Sequence, residues 1–229
     1  MKLCLRLLKY IAIKPYNYLN VRQFTRTGQT LNKSEEKSEN WKEELCETMQ
    51  VYPNFISMEE ECALIQEIEP YMQRLRYEFS HWDNAIHGYR ETERKQWNER
   101  NTKVLDRVRE KAFPKEMTQL PLIHILDLAA EGWIKPHVDS VRFCGEIIAG
   151  LSLLSDSIMR LTMVGKEKEC MYDFLLPRRS LYIMSGAARY KYNHEILKDE
   201  DSYFEGQHVP KIRRISIITR CLPNRDSMI

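Results

Sequence analysis

The chain has 229 residues, 35 Lys and Arg against 33 Asp and Glu, and 43% hydrophobic residues. That is enough apolar material for one domain with a sizeable core, and too much for a chain disordered throughout. No stretch reaches the roughly 18 consecutive apolar residues of a membrane span, so stable membrane insertion is not expected. Six dispersed cysteines with no Cys-x-x-Cys pair argue against a zinc ribbon or a disulfide framework.

Residues 1–33 carry Lys2, Arg6, Lys9, Lys14, Arg22, Arg26 and Lys33 and no acidic residue. Written as a helix, Met1 to Ile13 sets Leu3, Leu7 and Ile11 apart from Lys2, Arg6 and Lys9. That is the pattern of a mitochondrial transit segment, with a plain basic tail as the alternative. Setting those seven charges aside leaves 28 basic against 33 acidic residues, a net charge of −5 for the body. A body of that sign has no general field to steer phosphates. Residues 34–50 read as an acidic linker, 51–222 as the folded domain and 223–229 as a tail.

The domain opens with helices. Val51 to Ile56 reads as a short extended lead-in, and Ser57 with Glu60 forms a capping box for a helix. Leu64, Ile65, Ile68, Met72 and Leu75 lie near one face of it, with Pro70 as a kink or break. Glu78 to Arg100 mixes charges and reads as a helix or short loop, with Trp82, Tyr89 and Trp97 as packing anchors. A second helix is expected from Glu99 to Phe113, stopped by Pro114. Short apolar runs follow at 122–128, 146–154, 158–164, 172–176, 180–185 and 214–221. Turn signals separate them at Glu131-Gly132, Gly186 and Lys198–Gln207. This order predicts an α+β chain whose second half is a β-sandwich or jelly roll.

Three segments carry chemistry. His137-Val138-Asp139 follows Pro136 in an expected strand, where residues two apart share a face. His194 lies far downstream in Tyr-Asn-His-Glu. Two histidines and a carboxylate can cap one face of Fe(II), although His-x-Asp alone is more often a surface pair or a satisfied core histidine. On the late strand, alternation puts Arg214, Ser216, Ile218 and Arg220 on one face. Two arginines on such a face need a ligand, a salt bridge or water, and a dicarboxylate suits both. Solvated arginines on an edge strand are the bland alternative. His124 is expected to hydrogen-bond within a core strand, and Cys144 and Cys221 to be buried small hydrophobes.

Taken together, His137, Asp139, His194, Arg214 and Arg220 resemble the AlkB family of Fe(II)/2-oxoglutarate dioxygenases, which carries His-x-Asp, a distal His and Arg-x5-Arg in that order. The stretches 134–140, 149–154, 180–183 and 213–216 bring the resemblance closest to the family's mitochondrial branch. It implies a double-stranded β-helix, a jelly-roll core with supporting N-terminal helices. Iron would be held by His137, Asp139 and His194. Arg214 would take the distal carboxylate of 2-oxoglutarate, Arg220 would lie near its other end, and Tyr182 and Ser216 would complete the pocket. Oxygen is the remaining cosubstrate, and the mitochondrial matrix the implied location.

Two departures bear on the substrate. Where nucleic-acid demethylases of the family carry acidic residues after His-x-Asp, this chain has Ser140-Val141-Arg142. Their upstream Asn-x-Tyr is replaced by something like Asp127-Leu128-Ala129. The reading is therefore hydroxylation of a mitochondrial protein side chain, with succinate and carbon dioxide as coproducts. Its alternatives are demethylation of N-methylated mitochondrial RNA and a non-catalytic iron and 2-oxoglutarate sensor or scaffold.

Overall fold

The computed structural model describes residues 33–81 and 84–223, so the transit-like front, Trp82 and residues 224–229 lie outside it. The elements are α1 (Lys33–Thr48), β1 (Met49–Tyr52), α2 (Met58–Met72), β2 (Ile86–Arg94), α3 (Glu99–Ala112), β3 (Ile123–His137), β4 (Ile148–Leu153), β5 (Ser157–Met163), β6 (Met171–Leu176), β7 (Ser180–Met184), α4 (Gly186–Tyr190), β8 (Tyr192–Ile196), β9 (Tyr203–Phe204), β10 (Gln207–His208) and β11 (Arg214–Arg220). Among them no helix is long and apolar enough to cross a membrane.

The main sheet has nine strands in the order β1-β7-β4-β11-β3-β8-β5-β6, with β2 also on β3. Strand β3 holds it together. Its first half pairs antiparallel with β11, β2 runs along it from Ile123 to Ile134, and Ile134 and His137 pair with β8. One strand thus belongs to two walls, and the core fills the space between them with Leu126, Ile134, Ile148, Met159, Tyr182, Met184 and Ile196. The result is the expected α+β jelly roll, a nearly closed antiparallel barrel with helices outside it.

Local chemistry explains the helices. Both halves of the capping box form, with the Glu60 amide donating to Ser57 and the Ser57 amide to Glu60. Pro70 does not break α2: it sits in the last turn, two residues before the helix ends at Met72. Helix α3 stops at Ala112 because Phe113, before Pro114, is extended at φ −120° and ψ 135°. Glu61 of α2 is buried and takes the Arg178 guanidinium and the Leu154 amide, which ties the helix to the barrel.

Three expectations are corrected. Residues 34–50 are largely helix α1 and the start of β1 rather than a linker: Leu45 and Met49 are buried in the core, and Met49 pairs with Met184. Glu78 to Arg100 contains β2, whose polar sequence hid a strand because its arginines find carboxylates, Arg90 on Asp127 and Arg94 on Glu67. Glu131-Gly132 is no turn but the middle of unbroken β3. A Cβ at Gly132 would collide with the Gly88 carbonyl oxygen, so this glycine lets two strands approach rather than turning one. Gly132→Ala should therefore destabilise the fold by about 1–3 kcal/mol, as overpacking does, read as a lower urea midpoint at unchanged slope.

Candidate active site

The pairing of β3 with β8 puts His137 directly opposite His194, and their ring centroids lie 4.3 Å apart. Directly opposed residues of antiparallel strands share a face, so both imidazoles enter the barrel. Asp139 arrives by a different route from the one its spacing predicts. Strand β3 ends at His137, and Val138 and Asp139 lie beyond it. The loop is fixed instead by Arg189 of α4, only 1% exposed, which donates to the carbonyls of Asp139, Cys144 and Gly145. The Asp139 carboxylate comes to 3.4 Å from His137 Nε2. One ligand atom from each of His137, Asp139 and His194 falls within 4.8 Å of the others.

The protonation states suit a metal. The His137 Nδ1–H donates to the Lys135 carbonyl at 2.8 Å, which fixes the ring with Nε2 toward Asp139. Burial, with His137 beside it, pushes His194 down to about 4, so this imidazole is neutral at physiological pH. Burial opposes the charge of Asp139, but its surroundings, His137 first and Arg220 among them, prevail and hold its carboxyl well below the usual range. Two imidazoles and one carboxylate around a common point match a two-histidine, one-carboxylate site for a divalent first-row metal.

All seven expected site residues line one cavity of about 70 Å³, with apolar walls that include Leu126, Ile148, Met184 and Ile218. A single water needs about 10–15 Å³, so there is room for a small molecule beside a metal. On β11, Arg214, Ser216, Ile218 and Arg220 all face it, as alternation requires. Tyr182 comes from β7, its hydroxyl 3.2 Å from Ser216 Oγ. Arg214 is 2% exposed, and its Nε donates to Ser152 at 3.1 Å. Its Nη2 and the Nε of Arg220 are buried with no hydrogen-bond partner among the described residues. Charged donors left unmatched inside an apolar cavity fit a ligand with carboxylates.

The structure adds residues that sequence reasoning missed. Gly150 pairs with Tyr182, and any Cβ there would strike the tyrosine ring; the signal was a lone glycine inside a strand. Arg189 gave no signal, since its role depends on carbonyls contributed by another loop. His124 hydrogen-bonds on its core strand as expected, but it also lines the cavity. Asp127 takes no part in the cavity. It points away from the cavity, fully buried, and takes Tyr77, Arg90 and Arg213, while Leu126 lines the wall. Cys144 and Cys221 are buried as expected, His208 is exposed on β10, and Tyr89 is a core residue. Because Arg189 secures the Asp139 carbonyl, Arg189→Met should weaken Fe(II) or Mn(II) binding roughly 10–100-fold, measured by anaerobic metal titration, while the chain stays folded.

The comparisons with known proteins point the same way. Residues 23–220 match the family described as the 2OG-Fe(II) oxygenase superfamily. The mouse (Mus musculus) protein named alpha-ketoglutarate-dependent dioxygenase alkB homolog 7, mitochondrial, is 53% identical over 173 residues, 76% of this chain and 78% of the relative. The bovine (Bos taurus) protein of the same name is 51% identical over the same shares. Among solved structures, that of OsALKBH1 matches with a TM-score of 0.53 at 12% identity, over 76% of this chain and 97% of its own. A prolyl hydroxylase from Trichoplax adhaerens, in complex with a hypoxia inducible factor peptide, matches with a TM-score of 0.54 at 9% identity, over 85% and 94%. Those two likenesses are of fold. With a sequence match over most of its length, a jelly-roll barrel and two histidines and an aspartate meeting inside it, this chain belongs to the 2OG-Fe(II) oxygenase superfamily, in its AlkB branch, beside the mitochondrial homologues seven.

Proposed function

We propose that this chain is a dioxygenase of the mitochondrial matrix that hydroxylates a protein side chain, converting 2-oxoglutarate to succinate and carbon dioxide. Fe(II), once bound with 2-oxoglutarate and dioxygen, supplies the oxidising chemistry that places a hydroxyl on a C–H carbon. The chain supplies position. His137, Asp139 and His194 would hold the metal. Arg214 Nη2 takes the distal carboxylate of the cosubstrate. The Tyr182 hydroxyl, kept in place by Ser216, donates beside it, and Arg220 Nε lies toward the other end. Burial disfavours the Arg214 cation, and no carboxylate of the described residues pairs with it, so a dianionic ligand relieves an existing cost. Leu126, Ile148 and Ile218 keep water from the same space.

One observation carries the protein-substrate reading. A flipped base needs aromatic faces to stack on, yet among the described residues the only aromatic in the cavity wall besides the histidines is Tyr182, already engaged with Ser216. The segment after Asp139 instead presents exposed apolar side chains, Val141 at 42% and Phe143 at 67%. Together with the net negative body, that surface suits a polypeptide better than a phosphate backbone.

Residues 34–229 incubated in mitochondrial extract with Fe(II), 2-oxoglutarate and heavy-oxygen gas should place label on a peptide, and His137→Ala should not. Methyl loss from RNA with release of formaldehyde and no labelled peptide would replace this reading with demethylation. A cellular role left intact by Asp139→Ala would replace it with a scaffold. The cosubstrate assignment predicts separately that Gly150→Ala, by displacing Tyr182, raises the 2-oxoglutarate KM about tenfold, the worth of one hydrogen bond to a charged group, with metal affinity unchanged.

A further inference from the structure

Three adjacent strands each contribute one polar residue to a line that ends at the cavity. Glu91 lies on β2, His124 on β3 and Arg220 on β11. In the ladders Glu93 pairs with His124 and Ile218 pairs with His124, so Glu91 and Arg220 are its diagonal neighbours on either side. Arg220 Nη2 lies 3.0 Å from His124 Nδ1, and His124 Nε2 lies 2.8 Å from Glu91 Oε2. A guanidinium has no lone pair to offer, so the first contact makes His124 Nδ1 an acceptor. The ring proton then sits on Nε2 and is donated to Glu91, which fixes the neutral tautomer. Glu91 is ionised, held so by the His124 hydrogen bond against the opposing effect of burial. The line continues outward to His81, whose Nε2 is 3.5 Å from the other Glu91 oxygen.

The consequence falls on Arg220. With Nη2 anchored on His124, the guanidinium is prevented from turning about its long stem, and its Nε is left buried and without a hydrogen-bond partner among the described residues. We infer that His124, held in its Nε2–H tautomer by Glu91, is a positioning residue that aims Arg220 Nε at 2-oxoglutarate. The inference rests on the cosubstrate site described above and adds to it the group that orients its second arginine. A guanidinium fixed beforehand does not lose its rotational freedom again when the ligand arrives, which is why the effect belongs to cosubstrate affinity.

The test uses the full chain loaded with Mn(II), a redox-silent stand-in for Fe(II), titrated calorimetrically with 2-oxoglutarate. His124→Phe fills the same space without an acceptor and should weaken binding at least tenfold. His124→Asn places its amide oxygen near the former Nδ1 and should stay within threefold of the parent. Mn(II) affinity should be the same in all three, and in steady state the loss should appear in the 2-oxoglutarate KM with kcat nearly unchanged. Glu91→Ala, at a partly exposed position that leaves the cavity wall intact, should weaken 2-oxoglutarate three- to tenfold even if the phenylalanine variant does not fold. Parent-like affinity in His124→Phe or Glu91→Ala, or an asparagine variant no better than phenylalanine, would overturn the positioning role alone. Failure of the Mn(II)-loaded parent to bind 2-oxoglutarate would overturn the site reading beneath it, and this inference with it.

Discussion

Every function assigned to this barrel depends on the register in which β3 meets β8. His137 faces His194 across that ladder, and a slip of one residue would turn one imidazole out of the barrel. Several contacts hold the register. Ile134 pairs with Ile196 beyond an irregularity in the ladder, and on the far side of β8 Met159 and Leu161 pair with Ile196 and His194. These aliphatic side chains are almost fully buried, so a slipped pairing would expose them. The Lys211 ammonium, buried and pushed down to about 8, bonds the carbonyls of Gly132 on β3 and Leu197 at the end of β8. The metal triad is thus a consequence of core packing, with its third member set by Arg189.

Four arginines of the barrel divide into two kinds, and the division separates architecture from chemistry. Arg213 is gripped by Asp127 and Glu69, and Arg178 by Glu61; each has carboxylates that match its charge. Arg214 and Arg220 each keep one nitrogen without a partner among the described residues. Leaving a buried donor unmatched costs about 1–3 kcal/mol, and such a cost persists where a ligand offsets it. Arg213 and Arg214 are chain neighbours with opposite roles because strand alternation sends one to the outer network and the other to the cavity.

How much of this was legible in the sequence follows from what each signal depends on. Strands β4 to β7 and β11, and the facing set Arg214, Ser216, Ile218 and Arg220, were readable because short apolar runs and alternation are local properties of a β-prone sequence. Strand β9 and the start of β10, by contrast, lie in the charged stretch 198–207 that reads as a turn. Strand β2 was not readable, since its charged residues belong inside only in the presence of Asp127 and Glu67, far away in sequence. Gly132 was misread for a related reason: whether a glycine turns a chain or admits a neighbour depends on the neighbour, here Gly88. The nearness of Asp139 to His137 was read correctly, but on the wrong ground, since a buried arginine and not the strand's pleat places it. His124 was placed in the core and its reach to Arg220 was invisible, because that contact crosses between strands 96 residues apart.

The measurement that bears most directly on the account is a crystal structure of the chain with Mn(II) and 2-oxoglutarate bound. The account predicts the metal on His137, Asp139 and His194, and the two orphaned nitrogens, Arg214 Nη2 and Arg220 Nε, each paired with the cosubstrate. A metal held by any other set of residues, or a cosubstrate that leaves both nitrogens unpaired, would contradict it.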